Sequence, residues 1–116
     1  MDRRFRSSRR IRRRPEFQKA YAEGTRAHGR LMTVFVLPRN DTRTRLGIAA
    51  TKKLGGAVQR NRAKRMVREM FRQYPTPAGL DVVVVPRPAL VTASLAAIEA
   101  DYASCLRRHA HPGRRR

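Results

Sequence analysis

Tryptophan is absent, aromatic residues make up only 6%, and eight acidic residues stand against 28 lysines and arginines in 116 residues. The single cysteine, Cys105, excludes an intrachain disulfide framework and fits a reducing compartment. No apolar run approaches the roughly 18 residues needed to cross a bilayer. The longest, Leu80 to Pro86, carries Asp81 inside it. The few carboxylates are dispersed, so no Asp/Glu pair points to two-metal phosphodiester chemistry. Glu69 and Asp81 read instead as an ion-pair partner for Arg65 and a strand-end residue. Cys105, His109 and His111 lack the fourth ligand and outer shell of a metal site. Gly55-Gly56 lacks the glycine spacing of a nucleotide-binding loop. The expectation is a chain with no catalytic residue and no metal site of its own.

What is present is charge. The formal net charge is +20, and apart from Lys19, Lys52, Lys53 and Lys64 the cationic residues are arginine, 24 in all. A particle this basic repels itself unless a polyanion neutralises it. Arginine grips phosphate with two parallel hydrogen bonds and stacks on bases, so nucleic acid ranks ahead of an anionic membrane surface as partner. The length suits one domain, and 41% apolar content is enough for a core.

Residues 1–14, with eight arginines and almost nothing apolar, read as a disordered basic arm. A transit peptide is also Arg- and Ser-rich, but Phe5 and Ile11 alone make no apolar helix face. Residues 15–109 form the expected nucleic-acid-binding α/β domain, and 110–116 a basic tail. Within the domain, Pro15 to Glu23 reads as a short helix stopped by Gly24, with Phe17, Ala20 and Tyr21 on one face. Leu31 to Leu37 and Arg45 to Thr51 read as strands, with a further short strand left open in the 39–51 region. Ala63, Met66, Val67, Met70, Phe71 and Tyr74 form the apolar stripe of a helix over 57–74, which Pro75 and Pro77 end. Asp81 to Val85 reads as a strand buried on both faces. Thr92 is the expected cap of a last helix carrying Leu95, Ile98, Tyr102 and Leu106 inward. The order α-β-β-(β)-α-β-α gives an α+β fold, a two-layer α/β sandwich in a single domain.

On the middle helix, Arg60, Lys64, Arg65, Arg68 and Arg72 fall within an arc of about 140° that also holds Asn61. Like charges on one helix face repel, so an arc of one sign points to a polyanion. Lys52 and Lys53 extend the patch upstream, and Gly55-Gly56 sets backbone N–H groups at the helix start, where phosphate is favoured.

The run Lys52-Lys53-Leu54-Gly55-Gly56-Ala57-Val58-Gln59-Arg60-Asn61-Arg62-Ala63-Lys64-Arg65, followed by Arg68-Glu69, resembles the signature of the bacterial ribonuclease P protein subunit. Phe17-Gln18-Lys19-Ala20-Tyr21 with Gly24, Leu46-Gly47-Ile48 and Asp81 to Val85 keep that family's order, so the resemblance spans roughly residues 10 to 108. It departs at Gly56, where the family usually has Asn, and Thr51 stands where serine is common.

The resemblance implies a non-catalytic subunit of a ribonucleoprotein endoribonuclease. Such a subunit binds a catalytic RNA and the 5′ leader of precursor tRNA and assists removal of the leader. The positions matching the catalytic-RNA face are Lys52, Lys53, Arg60, Asn61, Arg62, Lys64, Arg65 and Arg68. Those matching the leader cleft are Phe17, Tyr21 and Phe35, although isolated aromatics at helical spacing are more often core. It further implies Mg²⁺ carried with the RNA, a cytoplasmic location, no membrane partner, and a left-handed βαβ crossover against the usual right-handed rule. The alternative from composition alone is a general RNA-binding structural or ribosome-associated protein without a processing role.

Overall fold

A computed structural model describes residues 9–109. The centre of the molecule is the strand β4 (Leu80–Pro86), in which Val82, Val83 and Val84 are fully buried because both faces of the strand are covered. It lies between β2 (Met32–Pro38), antiparallel, and β3 (Arg45–Ile48), parallel. β1 (Thr25–His28) pairs antiparallel with β2 at the far edge, giving the sheet order β1-β2-β4-β3.

Three helices cover this sheet. α1 (Arg14–Glu23) lies on one face. α2 (Ala57–Gln73) links the parallel pair β3 and β4, and α3 (Leu95–His109) follows β4. The inward residues of α2 and α3 join Met32, Val34, Val36, Leu46, Val82 and Val84 in the main core. β2 alternates as its period-2 pattern requires, turning Phe35 to the opposite face, where it meets Ile11, Ala20, Phe17, Val83 and Val85 under α1. Among the described residues, no helix is long and apolar enough to cross a membrane.

The strand expected over Arg45 to Thr51 ends at Ile48, and three further features differ from the sequence reading. The additional strand is β1 at 25–28, not a strand in the 39–51 region; that region holds a turn in which Asp41 accepts N–H groups from Arg39 and Arg43. The last helix is capped by Ser94 Oγ, which accepts Ala97 N–H at 3.1 Å, because Pro88–Thr92 is taken up in a 3₁₀ turn. The N-terminal boundary at residue 14 falls too late. Arg10 bridges Leu46, Ile11 N–H donates to the Leu46 carbonyl at 2.9 Å, and the Ile11 side chain is buried. An edge strand leaves a row of unpaired groups that a short segment can satisfy. The remainder of the expected arm (1–8) and the tail (110–116) lie outside the described residues.

Candidate nucleic-acid interface

The basic helix begins at a pinned loop. Thr51 Oγ1 accepts Lys53 N–H at 3.3 Å and opens a 3₁₀ turn over Lys52–Leu54. Leu54 is buried in the main core, which holds the turn down and leaves Lys52 and Lys53 exposed. Gly55 sits at φ +118°, a conformation side chains avoid. Gly56 is the N-cap of α2 and has no side chain to offer, while Gln59 Oε1 reaches back to accept Gly56 N–H at 3.0 Å. Gly56, where the resemblance leads one to expect asparagine, therefore offers no side-chain cap of its own.

α2 buries Ala63, Val67, Met70 and Phe71 and leaves Asn61, Arg62, Arg65 and Arg72 exposed, with Arg60, Lys64 and Arg68 half-buried. Two of its arginines are braced. Arg60 donates to the Gly55 carbonyl at 3.1 Å, and Arg62 Nε donates to the Val91 carbonyl at 2.8 Å. Held in place, they lose less freedom when a ligand binds. Glu69 accepts from Arg72 at 2.5 Å and Gln73 at 2.8 Å rather than from Arg65, so among the described residues Glu69 pairs within the last turn of the helix.

Lys64 and Arg68 face a cleft of about 250 Å³, shared with Arg10, Arg12, Phe17 and Ile48. Burial and then the neighbouring Arg10 charge hold the Arg68 guanidinium below its usual value. Cations crowded this way favour an incoming anion.

The predicted aromatic residues come together on the other face of the sheet. Phe17 and Tyr21, one helical turn apart on α1, have ring centroids 6.4 Å apart, and Tyr21 meets Phe35 of β2 edge-on at 4.9 Å. Phe17 and Phe35 are half-buried against Val83, while Tyr21 is 41% exposed. The two phenylalanines thus serve as core on one side and surface on the other. Gly47 of β3 leaves room for Phe17, since a Cβ there would stand 3.0 Å from the Phe17 ring and 2.9 Å from Ile11 Cβ.

Sequence reasoning did not single out Val58 or the segment 10–12. Val58, on the first turn of α2 amid the cations, is 78% exposed, and with Tyr21 it makes up the exposed large hydrophobic residues among those described. The signal for 10–12 was Ile11 alone, one apolar residue between arginines. Cys105 of α3 lies buried in the main core, its thiol pushed up to about 11 by burial first and the Asp101 charge second. His111, grouped with Cys105 and His109 in the sequence reading, lies outside the described residues.

A model of the family described as Ribonuclease P matches residues 5–110. The ribonuclease P protein component of Oleidesulfovibrio alaskensis is 42% identical over 98 residues, covering 78% of each chain. The RNase P protein from Thermotoga maritima superposes with a TM-score of 0.77 at 31% identity, over 85% of this chain and 96% of that one. The Staphylococcus aureus RNase P protein gives 0.73 at 29% identity, over 85% and 93%. With most of its length matched in sequence and in fold, the chain belongs to the ribonuclease P protein family.

Proposed function

We propose that this subunit works through two unlike surfaces. Lys52, Lys53, Arg60, Asn61, Arg62, Lys64, Arg65 and Arg68 bind the catalytic RNA, and Phe17, Tyr21 and Phe35 hold the unpaired 5′ leader of precursor tRNA. Membership of the ribonuclease P family gives the chain its place in tRNA 5′ processing, with catalysis carried by the RNA. The observation that carries the two-surface reading is the placement of the exposed large apolar side chains. Val58 stands among the phosphate-seeking cations of α2, and Tyr21 crowns the ring cluster across the sheet.

The chemistry suits each ligand. Guanidinium forks recognise folded RNA by its phosphates. Exposed rings stack on bases of a single strand, at about 1 to 3 kcal/mol per base. Mg²⁺ belongs with the RNA in this reading. Among the described residues no group of three His, Cys, Asp or Glu side chains gathers to hold it, and Asp41, Asp81 and Asp101 are engaged by arginines or backbone N–H groups. The protein's part is to neutralise phosphates and to favour leader-bearing substrate over product, in the cytoplasm.

The test adds the protein to its catalytic RNA at low Mg²⁺ and follows precursor-tRNA cleavage. A rise in cleavage and in substrate affinity is expected; neither rising would remove the processing role and leave general RNA binding.

A further inference from the structure

Val58 stands 78% exposed on the first turn of α2. Nine residues on, about two and a half helical turns, lies the buried Val67, so Val58 sits on the side of the helix directly opposite the core. The core does not account for an apolar side chain there. Local propensity does not either, because a β-branched residue is a weaker helix former than alanine or lysine.

The surface around Val58 is open and cationic. Asn61, Arg62 and Arg65 follow it at i+3, i+4 and i+7, all exposed, in one stripe along the helix. Upstream, Lys52 and Lys53 are exposed as well, and from Gly55 to Ala57 no side chain is larger than a methyl group. A long side chain one turn along normally folds its aliphatic stem over an apolar neighbour. Here the flanking ones are fastened elsewhere: Arg62 Nε to the Val91 carbonyl at 2.8 Å, Arg60 to the Gly55 carbonyl at 3.1 Å, and Gln59 Oε1 to Gly56 N–H at 3.0 Å. The Val58 methyl groups stay uncovered.

Charge selects what covers them. A second copy of a chain with net charge +20 would set cations against cations. RNA brings phosphates to the lysines and arginines and offers base and ribose faces to the methyl groups, either in its wide, shallow minor groove or on unstacked bases. We propose that Val58 is a further contact to the catalytic RNA, an apolar one, seated on a base or ribose face and flanked by the phosphates that Lys53 and Arg65 take. The inference rests on the catalytic-RNA reading of α2 and adds to it a contribution that salt does not screen.

The experiment titrates the full chain against its catalytic RNA at several salt concentrations, comparing wild type with Val58→Thr, Val58→Ala and Arg65→Gln. Threonine keeps the branched shape and exchanges a methyl for a hydroxyl, whereas alanine removes the methyl groups and favours the helix. Both Val58 variants should weaken assembly about tenfold at every salt concentration with the log–log slope unchanged. Val58→Ala should melt no lower than wild type; a lower melting point would assign Val58 a structural role and overturn the contact. Affinity unchanged in both variants, or a loss that disappears at high salt, overturns it too. The α2 reading then stands if Arg65→Gln lowers the slope by about one, and falls if that slope is unchanged.

Discussion

Asp81 and Arg45 stand directly opposite each other in the parallel β3–β4 register and join through two hydrogen bonds of 2.9 Å each. Arg39 adds a third at 3.0 Å, and Arg45 also reaches Glu16 of α1 at 3.1 Å. One half-buried carboxylate thus locks the two strands that α2 connects and ties them to the helix bearing the aromatic rings. Burial works to raise the Asp81 carboxyl, but the Arg45 and Arg39 hydrogen bonds outweigh it and hold the group below the usual carboxylate range. Asp81→Asn should cost about 2 kcal/mol, read by urea unfolding at neutral pH.

The pH dependence of that cost has a definite sign. A carboxyl depressed in the folded state contributes stability that is fully present above its unfolded value near 3.9 and is lost as pH falls through the folded value. The gap between wild type and Asp81→Asn should therefore persist from neutral pH down to about 5 and close in more acid solution. A gap that widens in acid would contradict the assignment.

The strong periodic signals in the sequence were sufficient for α2, α3 and β4, whose stripes and apolar run match the buried Val67, Met70, Ile98, Tyr102 and Val82 to Val84. β1 was not legible because it is an edge strand with one buried residue, Ala27, between Arg26 and His28. The docking of Ile11 was hidden for a related reason: a single apolar side chain in an arginine run carries no period, and only the open edge of β3 gives it a place. The aromatic trio was legible as residues but not as a cluster, since Phe35 joins Phe17 and Tyr21 only through the sheet. The Ser94 cap was obscured by Thr92, the same chemistry two residues earlier.

The braced arginines and the exposed ones should separate in solution. Arg65→Gln removes a cation with no structural bond assigned to it, so the salt slope of RNA assembly should fall by about one with the melting temperature unchanged. Arg62→Ala also removes the bond to the Val91 carbonyl. It should lower both the slope and, by about 1 kcal/mol, the stability. Calorimetry beside filter binding at several salt concentrations distinguishes them.

Gly47 offers a test of the ring cluster that leaves the rings themselves in place. Gly47→Ala puts a methyl against Phe17 and Ile11, at an overpacking cost of about 1 to 3 kcal/mol. The expected outcome is weakened binding of leader-bearing substrate with assembly on the catalytic RNA retained, measured on the reconstituted complex.

The most direct test compares precursor tRNA carrying a 5′ leader with mature tRNA, each titrated against the RNA–protein complex containing wild-type or Tyr21→Ala protein. Tyr21 is the most exposed of the three rings, so its loss spares the fold. Wild type should prefer the leader-bearing substrate, and Tyr21→Ala should lose about 1 to 3 kcal/mol of that preference while binding mature tRNA as before. An undiminished preference in the variant would contradict the claim that this face holds the unpaired strand.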